Sequence, residues 1–283
     1  MNLLFLLILR IVSNPLINVF QKKISIGGTS SLVINTTTYF ILSLVCGFSL
    51  FFIKLAPVPL EVLIYALLGG MFGAVGNACL VKALSCGELS VLVPVNSYKS
   101  VVAMLVAVFF LKEIPSVIGV CGILFIIAGS YFIFDTLEEG FSLKLFTRKD
   151  IRYRVMATIF TAIEAVFIKQ VILLSSPVIS FLFWCWFGFF FSCLLLIFLP
   201  TSGLKQIINV RFYICLVFCV AVMQLSTNYI FENMNVSYAL ALFQLSSILS
   251  VLFGKQFFQE QNIFKKMLGA VTMIIGAVAI ILG

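Results

Sequence analysis

Three full charges fall where a charge is expensive. Arg10, Lys99 and Glu164 each lie near the middle of a long apolar run. A charge at the centre of a membrane-length helix costs at least about 2.5–3.5 kcal/mol, so it takes a partner or a water-filled cavity and marks a solute or ion pathway by default. Two cations and one carboxylate suit an anionic or zwitterionic solute. Glu164 could instead carry a coupling proton if desolvation raises its pKa. The bland alternative is an inert interhelical ion pair, Lys99 with Glu164 or Arg10 with Glu164. Amides at helical spacing accompany the charges. Arg10, Asn14 and Asn18 share one helical face, as do Gln224, Asn228 and Glu232. Asn96 and Lys99 are three apart, Gln244 and Ser247 likewise, with Tyr98 beside Lys99 and Asn77 on a further segment. The alternative for any one amide is an interhelical hydrogen bond, worth only about 0.6 kcal/mol on average. Stripes on several helices favour a shared hydrated cavity. The substrate-binding candidates are therefore Lys99, Glu164, Arg10, Asn14, Asn96, Tyr98, Asn77, Gln224, Asn228 and Gln244.

Other chemistries find no support. There is no histidine, and Cys215 and Cys219 lack a second cysteine pair at ligand spacing, so no metal site is expected. Glu164 and Glu232 are the only acids for an intramembrane dyad, and Glu232 falls at the end of its segment. We expect no catalytic residues, no cofactor and no enzyme.

The elements that must position these groups are membrane helices. Of 283 residues, 63% are hydrophobic and 10% charged, with mean hydropathy +1.22. Soluble domains are about 45–50% apolar and about 25% charged. Ten apolar segments run approximately 3–20, 31–53, 62–84, 89–111, 116–134, 152–174, 178–199, 210–233, 237–258 and 266–282. Each approaches the roughly 17–25 residues a spanning helix needs, and none shows the alternation of membrane strands. The first has no basic n-region or small-residue cleavage site and reads as a retained helix. The net charge of +8 lies mostly in short connections, which argues for membrane orientation and against nucleic acid.

A charged linker, 135–151, separates a first five-helix half (1–134) from a second (152–283). Shifting the numbering by 147 (260 − 113) superposes Lys22 on Lys169, Ser90 on Ser237, Glu113 on Glu260, Gly122 on Gly269 and Gly129 on Gly276. Five is odd, so the second copy enters the membrane in the opposite sense. The expected fold is all-α, with ten transmembrane helices in two inverted repeats, an arrangement that puts a transport site at the repeat interface. Basic residues concentrate after odd-numbered helices, which places those loops in the cytoplasm and both termini outside.

Glu113 and Glu260 each stand between two helices, where a carboxylate at a helix N-terminus gains about 0.3–1 kcal/mol; their expected role is structural. Pro94 and Pro15 each remove a helix amide and permit a kink or hinge. Gly69, Gly70, Gly73 and Gly76 read as close helix packing. Trp184 and Trp186 fit either a cavity wall or a lipid-facing surface.

The stretch LKEIPSVIGVCGILFIIAG (111–129) and its second copy FQEQNIFKKMLGAVTMIIG (258–276) resemble the end of the fourth helix and the glycine-bearing fifth helix of the drug/metabolite transporter superfamily, in its ten-helix EamA-type branch. ALSCGELSVLVPVNSYKSVVAML (83–105) resembles that family's passage from helix 3 to helix 4, although Ala241 replaces the proline in the second copy. The resemblance implies a secondary carrier for a small polar metabolite, such as an amino acid. Its cavity would be lined mainly by helices 1, 3, 4, 6, 8 and 9. Expected partners are the small-molecule substrate, the lipid bilayer and, for coupling, protons; one chain suffices as a monomer. The expected location is the cytoplasmic membrane of a bacterium. Two alternatives from the same superfamily stay open: a lipophilic-cation exporter, and a lipid-linked-sugar flippase, which needs a lateral opening. A non-transporting membrane protein is a third.

Overall fold

The computed structural model describes residues 2–49, 58–106, 116–138, 140, 142–199 and 210–282. Every regular element is helical among them. In chain order these are α1 (Leu3–Ile26), α2 (Ser31–Ser49), α3 (Leu60–Cys86), α4 (Leu89–Leu92), α5 (Tyr98–Val106), α6 (Val117–Phe134), α7 (Lys149–Leu174), α8 (Pro177–Phe198), α9 (Val210–Asn233), α10 (Val236–Phe243), α11 (Ser246–Phe258) and α12 (Ile263–Leu282). Nine stretches among the described residues are long and apolar enough to cross a membrane. The tenth begins at Leu89 and is described as far as Val106. Ser116 and Ser176 start α6 and α8 by accepting from Gly119 N and Ile179 N, satisfying amides that a helix start leaves orphaned. Leu4, Phe48, Ile118, Phe190 and Phe218 are among the exposed large apolar residues, which belong against lipid.

Helix pairing repeats when the halves are exchanged. α1 packs along α9 and α3 along α7, two pairings that are mates under the exchange; α6 packs along α12. The α6–α12 crossing explains the repeated glycines. A Cβ on Gly122 would lie 2.6 Å from the carbonyl oxygen of Gly276, and one on Gly129 would lie 2.6 Å from that of Gly269. An early glycine of α6 meets a late glycine of α12, and the reverse. The two helices are therefore antiparallel, as an inverted repeat requires, and their backbones touch because no side chain intervenes.

The two segments expected as continuous fourth and ninth helices are both broken. In the first, α4 stops at Leu92, a 3₁₀ turn covers Pro94–Ser97, and α5 starts at Tyr98. Pro94 has no amide to donate and crowds the carbonyl one turn back. In the second, α10 ends at Phe243 and α11 begins at Ser246 without any proline. There the backbone tightens to bonds such as Gln244 N to Ala241 O and Ser247 N to Gln244 O. The Ser246 and Ser247 hydroxyls donate to the carbonyls of Phe243 and Gln244, competing with the regular ladder. Residue 97 maps to 244 under the 147 shift, so the breaks coincide in the two repeats. Pro15, by contrast, sits inside an unbroken α1.

Candidate functional site

Polar side chains of both halves converge on one cavity of about 130 Å³, bounded by α1, α2, α3, α7, α8, α9 and the two helix breaks. Arg10, Asn14, Asn77, Asn96, Lys99, Glu164, Gln224 and Gln244 all line it. Two candidates lie elsewhere. Tyr98 turns away, and its hydroxyl is 2.8 Å from Ser130 Oγ on α6. Asn228 is fully buried, donating to the Pro177 carbonyl at 3.0 Å and accepting from Gln224. It ties α9 to the start of α8. Glu232 is exposed. Glu113 lies outside the described residues.

The charges do not cancel one another directly. Among the described residues no carboxylate lies within 4 Å of Lys99 or Arg10, so the alternative of an inert Lys99–Glu164 or Arg10–Glu164 ion pair is not formed. Arg10 donates from Nε to Thr227 Oγ1 at 2.8 Å and stacks over Phe243 at 4.5 Å. Its buried Nη1 has no hydrogen-bond partner. Glu164 accepts from Trp184 Nε1 at 2.7 Å, which puts Trp184 in the cavity wall and not on the lipid face. The ring of Tyr39 lies 4.8 Å from that of Trp184, and Asn77 Nδ2 donates to the Tyr39 hydroxyl at 2.8 Å. Gly73 makes room for this acid: a Cβ there would fall 2.9 Å from Glu164 Cδ and 3.4 Å from Trp184 Nε1. The bond from Asn96 to Gln244, one from each break, is long at 3.4 Å. Asn18 Oδ1 and Gln21 Oε1, also on the wall, are buried without partners.

Sequence reasoning missed Arg154. In sequence it counts with the basic residues that follow odd-numbered helices; it is in fact 5% exposed on α7 and lines the cavity. Its Nε donates to Leu92 O at 2.7 Å and its Nη2 to Val93 O at 3.4 Å. These carbonyls lie where Pro94 interrupts the ladder, and a neighbouring side chain satisfies them, as the bilayer demands. The helical spacing of Arg154, Thr158, Thr161 and Glu164 carried the signal: these residues share a face of α7.

Ion pairs cluster at one end of the bundle. Glu260 accepts from Lys22 Nζ at 2.7 Å, Leu89 N at 2.7 Å and Ser90 N at 2.8 Å, and from the Ser90 hydroxyl. It therefore caps α4 in the other half and not the helix that follows it. Burial pushes the Glu260 carboxyl up, but the Lys22 ammonium and the bonds from Lys22 and Ser90 outweigh it and hold the group below its ordinary range. Lys266 pairs with Glu88, Lys265 with Asp135, and Arg148 with Asp150 at the same end.

The EamA-like transporter family matches this chain twice, over residues 2–135 and 151–282. A solved crystal structure of a protein shares the fold with a TM-score of 0.67 at 14% identity, over 97% of this chain and 96% of the other. No curated protein matches the sequence.

Proposed function

The chain belongs to the EamA-like transporter family, and on that premise we propose that it carries a small anionic or zwitterionic solute, such as an amino acid, across a membrane by alternating access. The observation that carries this reading is the cavity at the repeat interface. There Arg10, Lys99 and Glu164 face the same space without forming ion pairs among the described residues. Buried charges of both signs held apart leave room for a solute that brings the complementary charges. A carboxylate of the solute meets Arg10 and Lys99; an ammonium meets Glu164. In a solute lacking the ammonium, Glu164 takes a coupling proton instead. The amides of Asn14, Asn77, Asn96, Gln224 and Gln244 supply orientation. Cations in the cavity of Glu164 disfavour the lipophilic-cation reading, since they would repel such a substrate. The paired breaks at 93–97 and 244–245 are where the two bundles rock against each other, with Pro94 as a hinge. Location in a bacterial cytoplasmic membrane, both termini outside and action as a monomer complete the proposal.

The test is uptake and efflux of amino acids and small carboxylates in reconstituted vesicles. Lys99→Ala and Glu164→Gln each abolish transport while the purified proteins keep their thermal unfolding transition. Normal transport by both variants refutes the assignment.

A further inference from the structure

Two helix seams that are mates under the exchange of halves are built differently. Where α3 meets α8, a Cβ on Gly70 would lie 3.0 Å from the backbone carbonyl carbon of Phe187 and 3.1 Å from Gly188 N. The backbones are in contact there. In the mate seam, between α9 and α2, the 147 shift puts Val217 in the place of Gly70 and Ile41 in that of Gly188. Branched side chains stand where the other seam has none, so α9 cannot approach α2 as closely. What remains is an apolar crevice of about 480 Å³, with Ile41 and Val217 in its walls.

Three observations say what fills it. First, Thr37 and Tyr213 are the only polar residues of its lining. Two hydroxyls in about 480 Å³ leave most of the space without a hydrogen-bond partner for water. Secondly, the rim faces hydrocarbon: Val45, Ile214 and Phe218 are 60%, 63% and 68% exposed on helices that cross the membrane. The crevice shares no lining residue with the polar cavity, so it is not the lateral portal a flippase needs. Thirdly, cations stand at the end where α9 begins. Arg211 lies between the lining residues Val210 and Tyr213, is exposed, and has no ion pair among the described residues. Lys23 of α1 reaches to 5.4 Å from the ring of the adjacent Phe212. An apolar slot with a basic mouth is complementary to a lipid that has an anionic head.

We propose that the α2–α9 crevice binds one acyl chain of an anionic phospholipid whose phosphate is held by Arg211 and Lys23. The site is separate from the transport cavity and does not depend on what the cavity carries. The difference between the seams is its cause: glycine closes one and branched residues hold the other open.

Native mass spectrometry of the purified full chain, titrated with phosphatidylglycerol or phosphatidylcholine, tests this. The wild type retains one tightly held phosphatidylglycerol in preference to phosphatidylcholine, by about fivefold for each cation that contributes. The double variant R211Q/K23Q loses that preference but still binds either lipid. Val217→Trp fills the crevice and loses the tightly held lipid; Ala221→Leu, a smaller filling change, weakens it if the tryptophan variant folds poorly. Val155→Trp, in the separate apolar recess between α5 and α7, leaves retention unchanged. Undiminished retention in Val217→Trp and Ala221→Leu overturns the proposal, as does an unchanged preference in the double variant. Loss only in Val155→Trp moves the site elsewhere and overturns it too.

Discussion

Replacing Glu260 by glutamine keeps the side chain's size and removes its charge. In the native structure Oε1 serves Lys22 Nζ and Leu89 N, while Oε2 serves Ser90 N and Oγ. Glutamine offers one acceptor oxygen, so its NH₂ must face Leu89 N–H or Ser90 N–H, donor against donor. An amide left unsatisfied in a buried place costs about 1–3 kcal/mol. Lys22, itself only 8% exposed, loses its counter-charge while keeping the ring of Phe258 at 4.5 Å. Breaking a buried pair from one side costs about 3–5 kcal/mol. These figures overlap, and about 3 kcal/mol is a fair total, which is roughly a 100-fold change in an equilibrium constant. The cost falls on the ion-paired end of the bundle, where α4 starts, and not on the α6–α12 pair. Hydrogen exchange in nanodiscs reads it directly. Peptides covering 84–93 should exchange up to about 100-fold faster in Glu260→Gln, while those covering 117–134 and 263–282 keep their protection. Unchanged exchange over 84–93 together with an unchanged Tm would refute the capping assignment.

The same group makes stability depend on pH. The folded pKa of Glu260 is depressed, so its contribution is complete above the ordinary carboxylate value near 4.3 and disappears as pH falls through the lower folded value. The Tm difference between wild type and Glu260→Gln should close in that window, and a gap constant down to the lowest pH at which the protein folds contradicts it. Gly73→Ala places a methyl against Glu164 and Trp184; transport should fall sharply, with an overpacking cost of about 1–3 kcal/mol in stability, and vesicle transport at native Tm distinguishes the two effects. Gly122→Leu forces α6 and α12 apart and should lower the Tm by at least as much, read by thermal unfolding. Arg154→Gln shortens the donor that reaches Leu92 O; a cost of about 1–3 kcal/mol and faster exchange at 93–98 are expected, and unaltered exchange there counts against its role at the break.

Apolar length and a charged linker were enough to reveal membrane helices in two halves, because hydrocarbon imposes the same demand on every spanning segment. The repeated glutamates and glycines were visible because charges are scarce in this chain and a glycine match in register survives where side chains are free to vary. Arg10, Lys99 and Glu164 stood out for the same reason: a charge in the middle of an apolar run has few explanations. What a linear reading could not supply was direction. Tyr98 and Lys99 are neighbours in sequence and face different ways, one to Ser130 and one to the cavity, because successive helical residues point about 100° apart. Glu260 reads as the cap of the helix beside it, yet it caps α4, 170 residues away in sequence from Ser90. The break at Gln244–Leu245 carries no proline and owes its form to serine hydroxyls bonding their own backbone. Arg154 sits near the start of α7 and counts in sequence with the basic residues that follow odd-numbered helices; only the fold brings Leu92 O to it. Composition and period therefore determined the class, the repeat and the buried charges. Which groups meet, and which face the cavity without an ion pair, was decided by tertiary packing, since hydrogen bonds and ion pairs depend on distances between helices that sequence separation does not encode.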